Sequence, residues 1–389
     1  MTAETDTRGP LEVLLGLLAP AAFGDELTEG FCLVRASTEF GMRLVLEDTA
    51  GGGEVTVEVA VRDEGRPYAA ASRHFAFSYR ATPALDEGRG FALCEALAAR
   101  ARSNEDRVLG ALAHVRAGTA AAPRIRPVEV GSLLEPLGDG DDRFLGLSPY
   151  VGCLIGCRFC YAQSHLAAWR KLVGLPDAPW GSYVEVRRNA AEVLRRELES
   201  APPLPIKLCP LASDPYHAVE AEEGITRACL EVLREDRQTR PPHDVLVLTR
   251  AALVRRDFDV LGDLGAYLGV SLPTIDDEVR AHFEPRGATV TERLALLRDG
   301  RDAGAQTFAV VQPILPGSIN ALADALAETV SSVRVAVLEG EEGAAADFRD
   351  PRYAPAREAS WQADRAQQLR EALGARGVSL WTSELPPSS

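Results

Sequence analysis

No apolar run in the sequence approaches the length needed to span a membrane. Positive charge is short as well: 42 basic against 57 acidic residues leave a formal net charge of −15. Bulk attraction to a polyanion is therefore missing, and nucleic acid is disfavoured as a partner, although a local arginine groove stays open. Lysine is almost absent, with only Lys171 and Lys207. We read that imbalance as a coding bias rather than a recognition surface. There is no disulfide framework, because the seven cysteines are odd in number and Cys32, Cys94, Cys209 and Cys229 lie scattered. Such usage fits a reducing compartment. The acidic lead-in to the first apolar run argues against a secretory signal. Gly51 to Gly53 lack the following helix start with Lys-Ser/Thr that a phosphate cradle needs. A cytoplasmic protein with no membrane partner is expected.

With 389 residues, 46 % of them hydrophobic and 25 % charged, the chain can bury a large core or two. Up to about residue 126 a short helical segment precedes the runs FCLVRAS, MRLVLED, EVTVEVAVRDE and HFAFSYRAT, rich in Val, Phe and Tyr. The triple glycine and RDEGRP separate them as hairpin turns would, and a helix from about Gly90 to Ala117 follows. This predicts a small antiparallel sheet capped by a helix, over 1–126. Thr119 to Pro127 has the composition of a linker, and 127–143 is expected to connect to the next domain. From Phe144 strands alternate with helices: FLGLSPY, IKLCPLAS, DVLVLTR, YLGVSLPT, TFAVVQPIL and VRVAVLE, with amphipathic stretches between them. That alternation implies a parallel sheet with right-handed crossovers. The span is shorter than the ~250 residues of a closed eight-fold barrel. The expected fold class is α/β, with a partial (β/α)6 TIM-like barrel over 144–345. A short C-terminal α/β extension over 346–389 adds a helix and a last strand, VSLWTS.

Three cysteines within eight residues carry the chemistry: Cys153, Cys157 and Cys160, spaced C-x3-C-x2-C in SPYVGCLIGCRFCYAQ. Three thiolates can hold three corners of a cubane iron–sulfur cluster, whereas an electron-transfer cluster takes four. The competing reading is a Cys3His zinc site completed by His165. In parallel barrels reactive residues gather where strands end. Here those ends carry Ser213-Asp214-Pro215-Tyr216, Thr249-Arg250, Ser271 to Thr274, and Gln312-Pro313. The bland alternatives are that Asp214 only shapes a turn, that Arg250 pairs with Asp257 at the surface, and that Cys209 is a small buried hydrophobe.

The cysteine motif with its glycine flanks and Tyr161 resembles that of radical S-adenosylmethionine (SAM) enzymes. Ser148-Pro149-Tyr150, Ser213 to Tyr216, Thr249-Arg250, and Glu284-Pro285 followed by Arg293 resemble the spore photoproduct lyase-like branch. The likeness covers roughly Phe144 to Pro316. It implies a 4Fe–4S cluster on Cys153, Cys157 and Cys160, with SAM bound at the open iron. Reduction would split SAM into methionine and a 5′-deoxyadenosyl radical that abstracts hydrogen from a small-molecule or peptide substrate. It further implies that Tyr161 lines the adenine site and that Ser213, Asp214 and Ser271 contact the amino group or ribose. Arg250 would meet the SAM carboxylate, a match for a planar guanidinium fork, and Gln312 joins the cofactor-binding candidates. Cys209 and Tyr216 are the catalytic candidates, and a flavodoxin or ferredoxin is the expected electron donor. One departure stands out: where that branch has a hydrogen-donor cysteine, two positions before the Ser-Asp pair, this chain has Leu211. Cys209, on the same strand face, is the substitute. A lyase acting on damaged nucleic acid, and a non-catalytic metal-stabilised binding protein, are the other readings.

Overall fold

The computed structural model describes residues 10–38, 41–62, 67–82, 85–116, 124–138, 140–167, 170, 178–209, 211–338 and 342–387. The chain divides into two compact units. The first takes 1–121, 127–131 and 165–178, and the second takes 122–126, 132–164 and 179–389.

In the first unit six strands form an antiparallel sheet. They are β1 (Glu26–Thr28), β2 (Phe31–Ser37), β3 (Met42–Asp48), β4 (Glu54–Val61), β5 (Ala70–Ala71) and β6 (Phe75–Thr82), in the order β1-β2-β3-β4-β6-β5. Alternation decides which face is buried. Met42, Leu44 and Leu46 on β3, Val55, Val57 and Val59 on β4, and Phe75 and Phe77 on β6 all reach the core. The long helix Glu87–Arg116 packs on β6 and against the helix Pro10–Leu18, adding Leu93, Leu97, Leu14 and Leu17. The helix approaches so closely that a Cβ at Gly90 would lie 2.0 Å from the Tyr79 ring. Arg89 fastens the same helix to the end of β3, with both Nη atoms donating to the Asp48 carboxylate at 2.7 Å. Those contacts hold Asp48 well below the usual carboxylate range. The expected sheet with a capping helix is thus present. The RDEGRP turn, the end of the helix at Ala117 and most of the Thr119–Pro127 segment lie outside the described residues.

The second unit is built on an eight-stranded sheet. Besides the strands above, the described residues form β7 (Arg124–Val128), β8 (Leu134–Leu137), β9 (Phe144–Leu147), β10 (Tyr150–Val151), β11 (Tyr183–Arg187), β12 (Ile206–Leu208), β13 (Val245–Thr249), β14 (Tyr267–Ser271), β15 (Gln306–Val311), β16 (Ser332–Val335) and β17 (Ser379–Leu380). The order is β17-β16-β15-β14-β13-β12-β9-β8, parallel from β9 to β17, with β8 antiparallel to β9. Strand order follows chain order throughout, so right-handed crossovers place successive helices on one face and leave the other for an interior. The helices Ala190–Glu197, Ile225–Asp236, Val290–Asp302 and Ile319–Ala327 fill these crossovers.

Three features differ from the sequence reading. The parallel set has seven strands rather than six, because β17 follows the helix Ala359–Gly374 through one more crossover and pairs with β16. The C-terminal segment is therefore part of the main sheet, not an appendage, and Trp381 packs into its interior core with Leu246, Tyr267, Phe308 and Val310. The 127–143 stretch is not a plain linker, since it holds the end of β7 and all of β8. Finally, β10, β11 and β7 form a separate three-stranded sheet that the alternation pattern gave no hint of. Among the described residues no helix is long and apolar enough to cross a membrane.

Candidate active site

The cysteine loop starts where β10 ends. Its glycines are required: Gly152 has φ +82° and Gly156 φ +67°, a region that favours glycine. At Gly156 a Cβ would also stand 2.6 Å from an Arg286 Nη2 and 3.1 Å from the Gly181 Cα. The loop is tied down by backbone contacts. Gly152 N donates to Ala212 O at 3.1 Å, Cys160 N to Cys157 O at 3.1 Å, and Arg158 N to Phe283 O at 2.9 Å. Gln163 Nε2 donates to Arg158 O at 2.9 Å.

Asp214 joins the loop after β12 to the end of β13. Its Oδ1 accepts from Thr249 Oγ1 at 2.7 Å and from Tyr216 N at 2.9 Å, and its Oδ2 accepts from Arg250 N at 2.8 Å. Burial raises its pKa, and those three donors, with the Arg250 charge, work against the rise. Arg250 then points its side chain inward, 13 % exposed, with Nε donating to Glu284 Oε1 at 2.7 Å. Glu284 is fully buried, and its other oxygen meets Arg293 Nη1 at 2.7 Å. Arg293, also fully buried, donates from Nη1 to Ser271 O and from Nε to Ala288 O.

These elements line one partly open cavity, bordered by Cys153, Ile155, Cys157, Cys160, Ala162, Trp180, Ala212, Ser213, Asp214 and Arg250. Three thiols, a hydroxyl, a carboxylate and a guanidinium thus converge at the carboxyl ends of β12 and β13, where open and closed parallel sheets carry their sites. Burial pushes all three thiols upward, Cys160 to about 12 and Cys157 well above its usual value, with Arg250 opposing the shift at Cys157 and Cys160. Arg250 answers in kind: burial disfavours its charge, but Cys157, Glu284, Cys160 and Asp214 together raise its pKa. Buried thiols of this kind become thiolates when a cationic metal centre compensates them.

Residues 147–324 match the family model of the radical SAM superfamily. That span holds the three cysteines, Ser213, Asp214, Arg250 and Glu284. This stretch is a radical SAM domain. Two curated relatives are similar to the chain. One is ORF301, an uncharacterized protein of Acidianus two-tailed virus, 28 % identical over 203 residues, 50 % of this chain and 64 % of that protein. The other is Rv2578c, an uncharacterized protein of Mycobacterium tuberculosis, 28 % identical over 173 residues, 43 % of this chain and 48 % of that protein. The chain therefore matches less than two thirds of the length of either. Among solved structures, spore photoproduct lyase complexed with dinucleoside spore photoproduct is 14 % identical, with a TM-score of 0.48, over 70 % of this chain and 84 % of that one. A mutant of the same lyase with bound AdoMet and the dinucleoside gives a TM-score of 0.49 at 13 % identity, with the same coverage.

The radical SAM domain fits a 4Fe–4S cluster by its donor set. Thiolates are the ligands such clusters take, and three of them leave one iron without a protein ligand. Among the described residues no three His, Cys, Asp or Glu side chains are grouped as ligands of a single metal ion. His165, the fourth ligand of the Cys3His zinc reading, is not in the cavity lining. Arg250 does not pair with Asp257, which is engaged by Arg256 and Arg227 instead.

Other expected site residues lie outside the lining. Tyr161 is half-buried beside the loop, and Ser271 is buried with its carbonyl on Arg293. Gln312 is half-buried, its Nε2 3.4 Å from Val337 O. Tyr216 is buried, its pKa driven well up by burial and by Asp257. Cys209 is partly buried and packs against the core cluster of Leu246, Tyr267, Phe308, Val310 and Trp381. The sequence reading missed Trp180 and Arg286. Trp180 stands 20 residues beyond Cys160 in a stretch with no motif, and only folding brings it back.

Proposed function

We propose that this chain is a radical SAM enzyme acting on a small-molecule or peptide substrate. The observation that carries the reading is the meeting of Cys153, Cys157, Cys160 and Arg250 in one cavity of the radical SAM domain. Cys153, Cys157 and Cys160 would hold the cluster. A cluster bound there together with SAM would supply one-electron radical chemistry for hydrogen abstraction from the substrate. Arg250 offers a cationic fork, positioned by Glu284, for the SAM carboxylate. Ser213 brings a hydroxyl to the same cavity for the amino group or ribose. Asp214 lines the same cavity; its oxygens accept three protein donors, which fix its place while Oδ2 keeps an acceptor position for the SAM amino group or ribose. Tyr161, Ser271 and Gln312 are assigned to a wider SAM site, and Cys209 and Tyr216 to positions beyond the thiols. The chain-ordered parallel sheet supports a partial barrel around that site. The N-terminal sheet is assigned to substrate recruitment, and a flavodoxin or ferredoxin of the cytoplasm to electron supply.

Anaerobic reconstitution with iron and sulfide, followed by SAM and reductant, tests the reading. Cluster-loaded protein should form 5′-deoxyadenosine, and Cys157→Ala should abolish both cluster and product. A loaded protein that never cleaves SAM, even with cell extract as substrate source, would leave only the binding-protein reading. Salt-sensitive binding of DNA or RNA would overturn the substrate class.

A further inference from the structure

We propose that the four-residue turn Phe283–Arg286 is a positioning element that sets the distance between the three thiols and Arg250; this rests on the radical SAM reading above. Three of these four residues, Phe283, Glu284 and Arg286, grip both sides of the cavity. Phe283 O accepts from Arg158 N at 2.9 Å, inside the cysteine loop, and the Phe283 ring lies 6.2 Å from that of Phe159. Glu284 holds Arg250 through Nε at 2.7 Å. Arg286 donates from Nε to Leu154 O, between the first two cysteines, and from Nη2 to Gly181 O at 2.8 Å, beside Trp180. The close approach of Gly156 to Gly181 leaves room for nothing larger under that clamp.

The turn is itself anchored. Glu284 is shared with fully buried Arg293, which reaches Ser271 O at the end of β14. Arg280 adds a hold from the preceding helix, donating to Glu284 O at 3.3 Å and Gly287 O at 3.1 Å. The division of labour follows from chemistry. Glu284 occupies only Nε of Arg250, and neither Nη has a hydrogen-bond partner among the described residues. The fork is thereby aimed but left open to an anionic ligand. Arg286 makes two backbone bonds that only a planar guanidinium spans together, so it fixes loop shape rather than ligand affinity.

The two roles predict two separable phenotypes. Arg286→Ala should speed alkylation of Cys153, Cys157 and Cys160 in the metal-free protein several-fold and lower iron and sulfide per chain after reconstitution, with partial rescue by Arg286→Lys. Glu284→Gln should keep wild-type iron and sulfide but bind radiolabelled SAM about tenfold more weakly in equilibrium dialysis, as expected for loss of a charge-assisted hydrogen bond. If Glu284→Gln does not fold, Glu284→Asp keeps the charge, shortens its reach, and carries the same expectation. Wild-type alkylation and loading in Arg286→Ala, or unchanged SAM affinity in the Glu284 variant, would overturn the proposal. If loaded wild-type protein bound no SAM, the functional reading would fail, while the alkylation rates would still judge the turn.

Discussion

Asp214→Asn is the perturbation whose outcome the geometry constrains best. All three partners of the carboxylate are donors: Thr249 Oγ1 and Tyr216 N at Oδ1, and Arg250 N at Oδ2. Asparagine keeps one acceptor oxygen and turns the other into an N–H2 donor. Its better orientation leaves the oxygen on Oδ1's two donors and sets N–H2 against Arg250 N. One hydrogen bond to a charged acceptor is lost, roughly 1.5–3 kcal/mol, and one buried N–H is orphaned, roughly 1–3 kcal/mol. The sum is about 2.5–6 kcal/mol. At about 2–4 °C per kcal/mol for a unit of this size, the melting midpoint should fall by roughly 10 °C. Calorimetry or a denaturant titration of the metal-free protein reads this directly. A loss below about 1 kcal/mol would refute the assignment of Asp214 as the acceptor-only clasp between β12 and β13.

Gly156→Ala should cost about 1–2 kcal/mol from left-handed backbone alone, plus the clash with Arg286, and should lower cluster loading; wild-type iron content would contradict it. His217 is buried, its pKa depressed to about 3 by desolvation. The unfolded chain therefore binds one more proton than the fold below the ordinary histidine range, near 6.5. Stability should fall as pH drops from about 6.5 toward 3, by at most about 1.4 kcal/mol per unit from this group; His217→Gln should flatten that part of the profile in urea titrations. Thr289 caps the helix Val290–Asp302 in a reciprocal box with Glu292. Thr289→Ala should cost about 1 kcal/mol, measured by the same titrations, and an unchanged midpoint would count against the cap.

The cysteine loop was readable because its three cysteines lie within eight residues in one continuous motif, independent of the fold around them. Ser213, Asp214 and Arg250 were readable from strand ends, since alternating strands and helices announce where β12 and β13 stop. Their working roles were not. That Asp214 spends its oxygens on Thr249, Tyr216 and Arg250 depends on the distance between neighbouring strands, which no local pattern records. Arg250 was assigned Asp257 as one alternative because the two lie close in sequence, yet it turns to Glu284, 34 residues on. Trp180 and Arg286 carried no signal at all, and β17 looked like an appendage until pairing with β16 made it the sheet's edge.

Hyperfine spectroscopy of the reduced, reconstituted protein with isotope-labelled SAM goes straight to the claim on which the rest stands. Coupling between labelled amino or carboxylate atoms and the cluster, lost when any one of Cys153, Cys157 or Cys160 becomes alanine, is the predicted result. A fully loaded cluster with four protein ligands and no coupling to SAM would contradict it.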